Sequence, residues 1–161
     1  MKKLLISSFV LAASLLMAGG NKAPEAAPVS VIPNKCGTNT VYEEADTMLM
    51  WQDEAYTDAE DAAYKREHAS GKAGSYQYAV NYCNALAYAG HSDWRLPTSD
   101  ELVNVHRKEG QVFANFRDSD FWSSTAARKD RYYVVYPADA YQFARKPSES
   151  NFIRCVRCMK K

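Results

Sequence analysis

The stretch Asp93-Trp94-Arg95-Leu96-Pro97-Thr98-Ser99-Asp100-Glu101-Leu102 leaves the backbone few choices. Pro97 keeps Leu96 extended and stops any earlier helix from running through. Thr98 with Glu101 three residues on is a capping box, in which the hydroxyl takes an orphan N–H of the first turn and the carboxylate reaches back to the Thr98 N–H. Asp100 and Glu101 also favour the positive end of a helix dipole. An extended segment must therefore become a helix at Thr98. Trp94 and Leu96 alternate with Arg95, which predicts that the two apolar side chains are buried and that Arg95 meets solvent or a carboxylate. Trp51 and Trp122, each inside an apolar run, are expected to be structural in the same way.

The chain opens with the pattern of a secretory signal over residues 1–20. Lys2 and Lys3 precede an apolar run, and Ala18-Gly19-Gly20 offers small residues for cleavage. The run is shorter than the roughly 20 residues a spanning helix needs, so no stable membrane insertion is expected after cleavage. A lipoprotein signal would need Cys where Gly stands. Residues 21–35, with Pro24, Pro28 and Pro33 among alanines, are expected to form an extended linker. Residues 36–161 then make one domain, long enough for a hydrophobic core.

Four cysteines, Cys36, Cys83, Cys155 and Cys158, in an exported chain suggest disulfides, with three pairings open. Cys155-Val156-Arg157-Cys158 lacks the following His of a haem site, and a zinc site would need two more ligands at suitable spacing. In a strand, residues three apart face opposite sides, so Cys155 and Cys158 are expected to meet different partners. Cys83 shares an apolar helix face with Ala79, Leu86 and Ala87, and Cys155 shares a strand face with Ile153. That geometry favours Cys83–Cys155.

Two short strands around Asp46-Thr47 open the domain. A polar helix capped by Asp58 is expected over 58–68, a flexible break over 70–75, a helix over 75–89 ended by Gly90, and the capped helix from Ser99 to about Lys108. From Phe121 the pattern turns to strands at 121–126, 131–136, 141–145 and 151–158. Helices followed by strands make an α+β domain.

The net charge is only +1, but acids crowd residues 36–90 and bases outnumber them afterwards. An ordinary solvated surface accounts for this; a basic patch for a polyanion is the sharper reading. Arg128, Lys129 and Arg131 lie at one hairpin turn, and Arg145 and Lys146 lie at the end of the next strand but one. In a meander those turns fall at the same end of the sheet. These five residues are the candidate ligand-binding set, with Tyr132, Tyr133 and Tyr141 as candidate stacking surfaces. In this compartment an acidic or sulfated polysaccharide is a better partner than nucleic acid. No nucleophile elbow, helical His pair with Glu, phosphate loop or calcium loop occurs. Ser123 and Ser124 have no flanking base. No catalysis, cofactor or metal is expected.

Five pieces occur in order: Asp46-Thr47-Met48-Leu49-Met50-Trp51-Gln52; Ala79-Val80-Asn81-Tyr82-Cys83; the Asp93 to Leu102 stretch; Phe121-Trp122-Ser123-Ser124-Thr125; and Phe152-Ile153-Arg154-Cys155-Val156-Arg157. Together they resemble the Lcl C-terminal domain family, named for the C-terminal domain of a bacterial collagen-like adhesin. The resemblance implies a C-type-lectin-like fold of the formylglycine-generating-enzyme variety. Two main helices would pack on a small antiparallel sheet with adjacent terminal strands, and Cys36 could then pair with Cys158. The sugar- and calcium-binding triplets of true C-type lectins, Glu-Pro-Asn and Trp-Asn-Asp, are missing, and all four cysteines have disulfide roles in place of copper binding. The resemblance thus points to an exported binding domain for an acidic glycan or surface partner. A periplasmic assembly protein that binds another protein, or an enzyme with an undisclosed site, are the alternatives.

Overall fold

The computed structural model describes residues 40–160. The expected signal, the linker and Cys36 lie outside the described residues. The domain is α+β, with three helices and two small sheets. Strands β1 (Val41–Glu44) and β2 (Leu49–Gln52) form a hairpin, and the last strand, β8 (Val156–Cys158), pairs with the other edge of β2. The expected adjacency of the terminal strands is thus corrected: they share a sheet, but β2 lies between them. The second sheet runs β3-β7-β4-β5-β6, built from Ala73–Gly74, Asn151–Phe152, Phe121–Ala126, Tyr132–Tyr136 and Tyr141–Arg145. It is mixed, because β4 and β7 run parallel through Phe121 and Phe152.

The run expected as one strand over 151–158 divides in two. Asn151–Phe152 belong to the five-stranded sheet and Val156–Cys158 to the three-stranded one. Residues 153–155 cross between them. There the Ile153 N–H donates to the Lys72 carbonyl at 2.9 Å and the Gln52 N–H to the Cys155 carbonyl at 2.9 Å. The flexible break expected over 70–75 is instead ordered. The Lys72 N–H donates to Glu60 Oε1 at 2.6 Å, and Lys72 Nζ lies 3.0 Å from that carboxylate. A Cβ on Gly74 would lie 2.5 Å from Tyr78 Cδ1, so only glycine permits β3 to approach the following helix this closely.

Helix α1 spans Asp58–Lys65 and is capped by Thr57, not Asp58. Thr57 Oγ1 accepts from the Glu60 N–H, and Glu60 Oε2 accepts from the Thr57 N–H at 2.7 Å. Helix α2, Tyr76–Ala85, ends four residues earlier than the pattern predicted. Leu86 turns extended and is buried, and Tyr88 bridges to His91 around a turn with Ala89 at φ 51° and Gly90 at φ 77°. Helix α3, Ser99–His106, begins at the expected capping box. The Thr98 N–H donates to Glu101 Oε2 at 2.8 Å, and Thr98 Oγ1 accepts from the Glu101 N–H at 3.2 Å. Arg95 has a carboxylate partner: its guanidinium donates to both Glu101 oxygens, at 2.8 and 2.6 Å. A bidentate pair of this kind fixes orientation as well as contact.

The core has two parts. One surrounds Trp51, Phe113, Phe121 and Leu102. The other holds Trp94, Trp122, Leu86 and Ile153, and through it runs the Cys83–Cys155 disulfide, with its Cα atoms 5.5 Å apart. All three tryptophans are buried with their indole N–H donating: Trp51 to Glu44 Oε2, Trp122 to the Gly74 carbonyl and Trp94 to the Tyr88 carbonyl. Burying these rings removes large apolar area from water, and the satisfied N–H groups avoid a desolvation cost. Cys158 is exposed and bonded to no described cysteine.

Candidate functional site

Six basic residues of the C-terminal half, Arg95, Lys108, Arg117, Arg145, Arg154 and Arg157, are paired with carboxylates inside the domain. Arg154 is buried, and its Nη1 donates to Asp53 Oδ1 at 3.1 Å and to the Gln52 carbonyl at 3.0 Å. Its Nη2 donates to the Asn115 carbonyl at 2.6 Å, and its guanidinium lies 3.9 Å from the Phe113 ring centre. Arg157 donates to both oxygens of Asp93. Arg117 pairs with Asp61, and Lys108 with Glu44 and Asp46. Lys108 holds the Asp46 carboxyl below the usual carboxylate range, and Arg157 does the same to Asp93. Lys108, Arg117 and Arg154 thus match the basic half to the acidic half, while Arg95, Arg145 and Arg157 pair within the C-terminal half.

The hairpin end keeps its cations. The β5–β6 register pairs Tyr132 with Arg145, which sets the β4–β5 turn beside the end of β6, as the meander argument required. Arg128, Lys129 and Lys146 are exposed and make no ion pair with a described residue. Arg131 is half-buried and reaches the Ala144 carbonyl at 3.5 Å. Arg145 differs from the other four. Its Nη2 lies 2.8 Å from Asp120 and its Nη1 3.4 Å from Glu149, with the guanidinium 4.8 Å from the Phe143 ring centre. It supports the end of β6 more than it faces solvent.

The turn itself is strained. Lys129 has φ 59° and Asp130 φ 54°, and the Ala127 N–H closes the turn onto the Arg131 carbonyl at 2.7 Å. Consecutive left-handed residues are the geometry of tight hairpins, where Asn-Gly is the favoured pair. A lysine in this region costs on the order of 1 kcal/mol. The turn thus holds Lys129 away from the sheet at a conformational cost.

The candidate stacking tyrosines divide. Tyr132 lies flat on Tyr76, ring centres 3.4 Å apart, and is half-buried with Tyr133. Tyr141 is exposed but pairs with Tyr136 at the opposite end of the hairpin, far from the basic turn. The serines after Trp122 are structural. Ser123 Oγ donates to the Tyr133 carbonyl at 2.8 Å and Ser124 Oγ to the Pro97 carbonyl at 3.1 Å. Among the described residues no group of His, Cys, Asp and Glu could hold a metal ion.

The buried role of Arg154 was missed from sequence. The only signal is its place between Ile153 and Cys155 in an apolar run, where a charge needs an internal partner. His106 was missed as well. It lies against Phe113 and Phe121, with ring centres at 5.4 and 6.2 Å, and burial followed by the nearby Arg154 charge lowers its pKa to about 4.

The family described as Lcl C-terminal domain matches residues 39–157. No curated protein matches the chain.

Proposed function

Because the chain belongs to the Lcl C-terminal domain family, we propose that it is an exported, adhesin-like binding domain of C-type-lectin-like fold, that it acts without catalysis, and that its ligand is an acidic or sulfated glycan at a cell or envelope surface. One observation carries the reading. After the internal pairing is complete, Arg128, Lys129, Arg131 and Lys146 remain together at one end of the β5–β6 hairpin without an ion pair to a described carboxylate. A cluster of this kind raises the local concentration and on-rate of a polyanion. Arginine adds a planar fork that can hold two oxygens of a sulfate or carboxylate. The retention of Lys129 in a left-handed conformation is further support, since a purely structural turn would favour Gly or Asn there. The Cys83–Cys155 disulfide fits an oxidising compartment, and no described helix is long and apolar enough to cross a membrane.

The test is retention on heparin. Reversing Arg128, Lys129 and Lys146 to Glu should abolish salt-sensitive retention and leave the melting transition in place. Lys129→Gly separates backbone from charge: it should stabilise the domain by about 1 kcal/mol by relieving the turn while eluting at lower salt. Unchanged retention of the reversed protein, or no retention of the native protein at low ionic strength, refutes the polyanion reading.

A further inference from the structure

Strand β6, Tyr141–Arg145, is one edge of the five-stranded sheet. Its inner side pairs with β5 over five residues without a shift of register, and among the described residues no strand pairs with its outer side. Natural sheets protect such an edge by keeping it short, bulging it, covering it or placing charges and Pro in it. The other edges carry these devices. β3 is two residues long, β1 holds the exposed Glu43, and β8 is three residues long and bridged by Arg95. β6 has no Lys, Pro or bulge, and its single charge, Arg145, is drawn back onto Asp120 and Glu149. From this contrast, and from the pattern of side chains along the strand, we infer that β6 is an interface at which two copies of the chain pair antiparallel across a two-fold axis at Phe143.

The side chains of β6 complement a second copy of themselves. Tyr141, Phe143 and Arg145 alternate onto one face of the strand. The rings of Tyr141 and Phe143 lie 5.9 Å apart with planes inclined by 27°, and the Arg145 guanidinium lies 4.8 Å from the Phe143 ring centre. Tyr141 is 63% exposed, the most exposed large hydrophobic side chain of the described residues. Pairing centred on Phe143 sets that ring opposite its counterpart, Tyr141 opposite Arg145 of the second copy, and Gln142 opposite Ala144. Aromatic–aromatic and cation–aromatic neighbours are favourable cross-strand pairs, so the ladder of one copy continues into the other.

The two ends of the strand carry opposite charge, which sets the direction of pairing. Asp139, in the turn before β6, and Lys146, just after it, are both exposed and make no ion pair among the described residues. One Asp139 oxygen accepts the Tyr141 N–H at 2.9 Å, which holds the carboxylate beside the start of the strand. Antiparallel pairing brings Lys146 opposite Ala140 of the second copy, next to its Asp139, and the two-fold axis makes this contact twice. Parallel pairing would set Lys146 against Lys146. Five residues a side bury less than a standard specific interface, so the association is weak and reversible. Arg128, Lys129 and Arg131 sit at the β4–β5 turn and take no part in the pairing, and the inference does not rest on the polyanion reading.

Sedimentation equilibrium of the full chain without any polyanion, from about 1 μM to about 1 mM, should show a reversible monomer–dimer equilibrium. Hydrogen exchange at the amides of residues 141–145 should slow as the dimer fills. Lys146→Glu and Tyr141→Ala should each raise the dissociation constant about fivefold with the melting transition retained. Asp139→Lys should do the same, and Asp139→Lys with Lys146→Glu should return it toward the native value, because the exchanged charges again attract. Cys158→Ser should dimerise as the native chain does, which separates strand pairing from a disulfide through the exposed thiol. Dimerisation of a native chain that heparin does not retain refutes the polyanion reading alone. The inference is overturned if the native chain stays monomeric to about 1 mM, if the dimer leaves exchange at 141–145 unchanged, if Lys146→Glu and Tyr141→Ala dimerise as tightly as the native chain, or if Cys158→Ser abolishes the dimer.

Discussion

Arg154→Met removes a buried cation of nearly the same reach and leaves its surroundings apolar. At 3.1 Å the Arg154–Asp53 attraction is about 5 kcal/mol at an effective dielectric of about 20, a gross figure from which desolvation must be subtracted. The cost of the substitution comes mostly from what stays behind. Asp53 is 2% exposed, and the carbonyls of Gln52 and Asn115 lose charged donors. Removing one partner of a buried pair costs about 3–5 kcal/mol. Asp53 still accepts the Ala114 and Asn115 N–H groups, at 2.7 and 3.0 Å, which places the expected loss near the lower end, about 3 kcal/mol. Urea melts of Arg154→Met, Asp53→Asn and the double variant give the assay. The double variant should cost at least about 1 kcal/mol less than the sum of the singles, because the second removal relieves an orphaned charge. A loss under about 1 kcal/mol for Arg154→Met, or strict additivity, would show that this pair does not tie the two charge-biased halves together.

Replacing both Cys83 and Cys155 by Ala opens a link across a sequence separation of 72 and should lower stability by about 4 kcal/mol in urea; a loss below about 1 kcal/mol refutes the role of this bridge. Thr98→Ala should cost about 1 kcal/mol and Trp94→Ala about 3–5 kcal/mol, and equal small effects would show that the segment from Trp94 to Thr98 does not organise the domain. His106 makes stability depend on acid. Its folded pKa of about 4 lies below the ordinary 6.5, so its contribution is complete above pH 6.5 and is lost as pH falls toward 4, where the unfolded chain takes up the proton first. Chemical melts across this window should show a loss of up to about 3 kcal/mol that His106→Phe removes, and an unchanged pH profile in that variant would refute the assignment.

Local signals read well from sequence because their physics is local. The capping box at Thr98, the burial of Trp94 and Leu96, and the three strands from Phe121 to Arg145 depend on neighbours a few residues away. Cys83–Cys155 also emerged, because helix and strand periodicity each pointed one cysteine inward. The misreadings share a long-range cause. Residues 70–75 have turn composition, yet Glu60 and the distant Asn151–Phe152 strand order them. The run over 151–158 has uniform strand character, but two different sheets compete for its ends. Of the basic set, the shared end of the hairpin was legible from meander geometry. The diversion of Arg145 to Asp120 was not, since nothing in the sequence brings those two residues together.

The placement of β2 between β1 and β8 governs when the domain can close. A hairpin of β1 and β2 can form early, but it shows an open strand edge until Val156–Cys158 arrives from the far end of the chain. That edge is the pairing template most prone to capture by another molecule. Closure by contacts this distant in sequence is slow, because loop entropy is lost before the contacts reward it. A chain whose synthesis stops before the final strand therefore leaves the β2 edge uncovered, and aggregation should compete with folding most strongly in C-terminal truncations.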